Sequence, residues 1–213
     1  MATFRSCRVL CVLVLLVWTA GVARADSLFD FNSVPVGTAT TFSATNNGLT
    51  ATFSSPANPG GFVVGPPPTP FAPPMAGNVL FDSGLTPDSN IPLDITFSSN
   101  LTSVSLDFAT NDTGAFLLTA FEGGINVGTM NATGSIPPGI LAPQGSIAFS
   151  GSAFDRIELT SPDAAFAIDN LDAVVASTVP APEPNSLVLL GMGLLGLLAL
   201  TVRGKRHAPP VAC

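Results

Sequence analysis

Between residues 26 and 178 the apolar positions recur in short runs with a two-residue period, and no stretch carries a helical stripe of useful length. The runs predict strands at Ser27–Phe31, Leu49–Phe53, Asn78–Phe81, Leu93–Phe97, Leu101–Phe108, Ala115–Phe121, Ile125–Met130, Ser146–Phe149, Phe154–Leu159 and Ala165–Val174. In one of them Val104, Leu106 and Phe108 point one way while Ser103, Ser105 and Asp107 point the other. Clusters of Gly, Asn, Ser and Pro punctuate the runs, and there is no internal repeat at a fixed period. Short strands at this spacing predict an all-β fold, a jelly-roll-like antiparallel β-sandwich spanning 26–178. Gly123-Gly124, which can take positive φ, predicts a tight hairpin between Phe121 and Ile125. Pro56 to Pro74 has too few backbone donors for a ladder and predicts a stiff crossover joining the two sheets. An exposed polyproline contact loop is the competing reading of that stretch.

The pattern changes at both ends. Arg5 and Arg8 precede an unbroken apolar run, Val9 to Val17, and Ala23-Arg-Ala25 places small residues where a signal peptidase needs them. Residues 1–25 therefore read as a signal peptide cleaved before Asp26, since the apolar run is well short of the roughly 20 residues of a spanning helix. At the other end Pro182-Glu183-Pro184 is followed by an apolar run from Leu187 to Val202 and a basic stop, Arg203-Gly-Lys205-Arg206. As a helix, 187–202 would span about 24 Å, slightly short of a roughly 30 Å hydrocarbon core. The basic residues would hold its end on the cytoplasmic side. Residues 207–213 form a short tail beyond it.

The order of these three parts over 179–206 resembles the PEP-CTERM sorting signal of bacterial exosortase substrates. The resemblance implies a membrane-anchored precursor that an exosortase processes near Pro182, Glu183 and Pro184, delivering the exported part to the cell surface or extracellular matrix. It also implies a host that makes extracellular polysaccharide, a candidate contact of the exported part, and only transient residence in the inner membrane.

Composition narrows the chemistry of the exported part. All three cysteines (Cys7, Cys11, Cys213), the single Trp18 and the single His207 fall outside it, and Tyr is absent from the chain. No disulfide can hold such a domain, so its core, and a metal if one binds, must do so. Arg156 is the sole basic residue between Asp26 and Val179, against thirteen Asp and Glu, a balance that repels nucleic acid and suits a divalent cation. Without His, Cys, Lys or Tyr, neither a nucleophile–base pair nor a zinc site can be assembled. Glu122 and Glu158, the only glutamates there, would have to act as a glycosidase pair. The first sits at a hairpin tip and the second faces outward on a strand, so no enzyme is expected. Sugar stacking on Trp or Tyr is equally ruled out, which leaves at most a weak site of Asn, Asp and loop carbonyls. Three Asn-x-Thr sequons, at Asn100, Asn111 and Asn131, are what a Thr- and Asn-rich chain produces by chance.

A calcium site is the sharpest local expectation. In Phe166-Ala-Ile-Asp169-Asn170-Leu-Asp172, Phe166 and Ile168 share a face that Leu171 and Ala173 continue one residue out of phase. A β-bulge at Asp169-Asn170 explains the slip and turns a carboxylate and an amide carbonyl toward one point. First and last strands of a jelly roll often lie side by side, which would let Asp30 join them, and hard oxygen ligands of this kind suit Ca²⁺. Asp and Asn that merely cap turns are the alternative. Phe29-Asp30-Phe31 and Phe166-Ala-Ile-Asp-Asn-Leu also give the exported part a similarity to galactose-binding-like jelly rolls, which implies a structural calcium between terminal strands. The expected function is a non-catalytic surface or matrix protein with a structural or interaction role in envelope or biofilm. A calcium-dependent carbohydrate-binding module is the alternative.

Overall fold

A computed structural model describes residues 26–67, 69–84, 91–162 and 165–176. The expected signal peptide and sorting segment, with Ala23, Ala25, Pro182, Glu183, Pro184, Arg203, Lys205 and Arg206, lie outside the described residues. Among the described residues there is no helix, and hence none long and apolar enough to cross a membrane. Ten strands account for the architecture: β1 (Asp26–Phe29), β2 (Phe42–Asn46), β3 (Leu49–Ser54), β4 (Phe62–Gly65), β5 (Val79–Asp82), β6 (Leu93–Thr110), β7 (Ala115–Glu122), β8 (Ile125–Thr133), β9 (Gln144–Thr160) and β10 (Phe166–Val175).

Every pairing among these strands is antiparallel, and two long strands serve both layers of the sandwich. The first half of β6 and the second half of β9 lie in a layer ordered β2–β3–β6–β9–β7–β8. Their other halves lie in a layer ordered β4–β5–β10–β6–β9, with β1 beside the later residues of β10. Between Thr96 and Ser103 the β6–β9 register shifts, and Ser98, Ser99 and Asn100 are exposed where the strand passes from layer to layer. The alternation predicts a break there and at 150–153. The structure instead bends two continuous strands, so each of two expected strand pairs is one strand.

Two strands were hidden from the apolar pattern. The ends of β2 and β3 meet across Asn47-Gly48, whose φ values of 48° and 81° make a two-residue hairpin of the type that needs both central residues left-handed. Strand β4 falls inside the proline-rich stretch and pairs with β5 in the same layer. The prolines from 66 onward therefore do not join the two sheets: they form a long connection between neighbouring strands of one sheet, and the crossover is the short segment 55–61. The Glu122–Ile125 hairpin forms as expected, with Gly123 and Gly124 at φ 55° and 85°.

Phenylalanine does the work that disulfides and larger aromatics do elsewhere. Phe29, Phe31 and Phe42 surround Phe53 at centroid distances of 6.4, 5.3 and 4.9 Å. A second chain, Phe62–Phe166–Phe116–Phe108, crosses between the layers at 5.0, 5.2 and 4.4 Å. Each fully buried ring contributes about 2–3 kcal/mol from removal of apolar surface alone. Val104, Leu106 and Phe108 are buried together in this core, as their alternation requires.

Candidate functional site

The expected bulge is present. Pairing of β10 with β6 slips between Asp169↔Asp107 and Asp172↔Ser105, and Asn170 takes φ 50° at the slip. Phe166, Ile168, Leu171 and Ala173 all reach the main core because of it. On the other edge β10 pairs with β1, Phe29 opposite Leu171, so the first and last strands are neighbours and Asp30 follows directly. Asp30, Asp169 and Asn170 are thus brought to one corner of the sheet, and Asp107 joins them.

Hydrogen bonds at this corner are mostly structural. Asp169 is buried, its Oδ1 accepting from the Asn170 backbone N–H at 2.8 Å and its Oδ2 from that of Ala76 at 3.2 Å. Asn170 Nδ2 donates to the Asp107 carboxylate at 3.0 Å and to the Pro74 carbonyl at 3.1 Å. Asp30 Oδ1 accepts from Asn32 N–H at 3.2 Å. Burial pushes the Asp169 carboxyl up to about 6, and the nearby charges of Asp30 and Asp107 add to the rise while the two backbone N–H groups oppose it. A cation would relieve that repulsion. Among the described residues no three His, Cys, Asp or Glu side chains are grouped so as to hold one ion, so any calcium here needs amide and backbone carbonyl oxygens as well.

The same bonds pin the proline-rich connection onto the outer face of its sheet. Besides Ala76 and Pro74, Ala72 N–H donates to Gln144 Oε1 at 3.1 Å and Asn78 N–H to Asn32 Oδ1 at 2.9 Å. Beneath this strap Met75, Val79, Ala109 and Ala167 form a second, smaller apolar cluster, packed by Phe71 and Phe81. Beside it opens a pocket of about 160 Å³ lined by Phe71, Phe81, Ala109, Ala167, Thr69 and Asn111, among others. Sequence reading missed it because the loop residue and the sheet alanines meet only in three dimensions.

The glutamates take up separate positions. Glu122 Oε1 accepts from Asn100 Nδ2 at 2.8 Å. Glu158 lies opposite Thr119 with one oxygen 3.9 Å from Arg156 Nη1. That guanidinium is bonded to Asp94 and sits 3.9 Å above the Phe121 ring.

The decisive finding on sorting comes from comparison with known families: the model described as the PEP-CTERM protein-sorting motif matches residues 180–206. The chain carries a PEP-CTERM sorting signal. It marks an exported, membrane-anchored precursor processed to the cell surface, and it implies recognition by an exosortase. No curated protein matches the chain. Among solved structures, the chain is similar to the K2 cleaved adhesin domain of Lys-gingipain, at 16% identity and TM-score 0.44, covering 71% of this chain and 99% of that one. It is also similar to a family 29 carbohydrate-binding module from Piromyces equi, at 14% and 0.37, covering 75% and 96%. A third likeness, to the catalytic domain of a GH87 alpha-1,3-glucanase at 11% and 0.39, covers 76% of this chain but 30% of that one.

Proposed function

We propose that this PEP-CTERM protein is a non-catalytic component of the envelope or biofilm, whose exported sandwich works by contact with other surface material. The observation that carries this reading is the disposition of its acids. Glu122 is bonded to Asn100 at a hairpin tip, Glu158 flanks the Arg156–Asp94 pair, and Asp169 holds backbone N–H groups. Each takes part in holding the fold, and the only two glutamates among the described residues engage different partners on separate elements, Asn100 for Glu122 and Arg156 for Glu158. A host strain carrying the double variant Glu122→Gln, Glu158→Gln should display the protein and build its matrix as the parent does, while a strain lacking the protein should not. A displayed double variant that behaves like the deletion would put a hydrolase in place of this reading.

A second reading is favoured by the corner at β1 and β10: a carbohydrate-binding module whose strap is fixed by calcium. Asp30, Asp169 and the Asn170 amide oxygen would supply hard ligands, and the cation would offset the repulsion that raises the Asp169 carboxyl. Glycan-array binding by the full-length chain that disappears with chelator supports this reading. Binding indifferent to chelator removes calcium from it.

A further inference from the structure

We propose that the pocket between the proline-rich strap and the outer face of the β10 sheet binds one ring of a neutral sugar. The inference deepens the carbohydrate-binding reading and rests on it. Register places Val63, Phe81, Ala167, Ala109 and Gln144 in one row across β4, β5, β10, β6 and β9. Two adjacent alanines in the middle of that row, between a phenylalanine and a glutamine, leave a depression in the sheet that Met75 of the strap fills in part and the pocket occupies beside it. Phe71 of the strap and Phe81 of the sheet are half-buried and wall it, and Thr69 and the exposed Asn111 stand at its rim.

Its size, about 160 Å³, is that of a cavity able to hold a single six-membered ring. Aromatic walls meet the C–H face of a pyranose, and an amide with a hydroxyl serves its hydroxyl groups. Charge selects among sugars. The sole cation among the described residues is Arg156, already bonded to Asp94, while acids dominate the domain. An anionic sugar would find repulsion and no partner, whereas a neutral one loses nothing.

The test uses the full-length chain in a zwitterionic detergent without a sugar headgroup. Methyl glycosides of glucose, galactose, mannose and xylose, short neutral oligosaccharides and a glucuronide are titrated by saturation-transfer NMR. At least one neutral sugar should bind and the glucuronide should not. Ala167→Leu, which adds bulk to the pocket wall beside Met75 and is accepted only with an unchanged unfolding midpoint, should weaken binding at least about ten-fold. Phe71→Ala should do the same, with β-sheet circular dichroism unchanged for both. Neutral-sugar binding that survives both variants overturns the pocket while leaving the carbohydrate-binding reading in place. Absence of any neutral-sugar binding by the parent protein overturns the two together.

Discussion

Asp169 occupies an environment that favours its neutral form and a set of bonds that favours its charged one. Burial wins: the carboxyl rises from its ordinary 3.8 to about 6, with Asp30 and Asp107 contributing in the same sense. Asp172 is raised too, by burial and then by the charge of Asp26. A carboxyl that holds its proton more tightly when folded stabilises the fold below its unfolded pKa, and that stability is lost as pH climbs toward the folded value. Asp169 alone should therefore make the metal-free domain less stable at pH 7.5 than at pH 4, by on the order of 3 kcal/mol over the whole window. Thermal unfolding in chelator at pH 4, 5, 6 and 7.5 reads this, and Asp169→Asn should flatten the component between pH 4 and 6. An Asp169→Asn profile that keeps the parent's slope would remove Asp169 as its source. Bound calcium at the corner would reverse the penalty, raising the midpoint at pH 7.5 and losing its effect below pH 6 as protons compete. Calcium with no effect at pH 7.5 would sink the calcium reading.

Among elements, the β2–β3 hairpin carries the clearest liability. Its side chains strap the first strand: Asn46 Nδ2 donates to the Leu28 carbonyl at 2.6 Å and Asn47 Nδ2 to that of Asp26 at 2.7 Å. A Cβ at Gly48 would meet nothing within 4 Å, but φ of 81° is one that residues with a side chain rarely adopt. Gly48→Ala should therefore cost about 1–2 kcal/mol through the backbone alone, measured by denaturant unfolding. A neutral Gly48→Ala would mean that the hairpin adjusts freely. The Asn47-Gly48 signal for this turn stands in the sequence, yet β2 offers only Phe42 and Ala44 as apolar positions, too few for a period to show. Strand β4 is concealed by the prolines around it. Long β6 and β9 read as four strands because Ser98-Ser99-Asn100 and Gly151-Ser152 look like turns, although they mark bends where a strand leaves one layer for the other. The bulge at Asp169-Asn170, by contrast, was legible, since a one-residue phase slip in a buried strand has few other causes. The pocket was not, because Phe71 and Ala167 are brought together only by the strap's bonds to Asp169 and Gln144.

For the whole molecule, what matters is that both ends of the sandwich meet. Asp26, the residue expected to become the mature N-terminus, pairs with Val174, and the Ala176 N–H bonds to the Asn100 carbonyl at 2.7 Å just before the sorting signal begins. The terminal strands are secured within the sandwich itself, β1 by its ladder with β10 and by the Asn46 and Asn47 side chains, β10 by its ladders with β1, β5 and β6. Removal of the tail should thus leave the unfolding midpoint unchanged while altering where the protein resides. Intact mass of the protein from a surface fraction of its own host should match a start at Asp26 and an end near Pro184, any excess reporting glycosylation or an attached group. Changing Glu183 to Ala should leave residues 187–213 in the mass and the protein in the membrane fraction. Were the parent protein to retain 187–213 at the surface, the tail would be a permanent anchor.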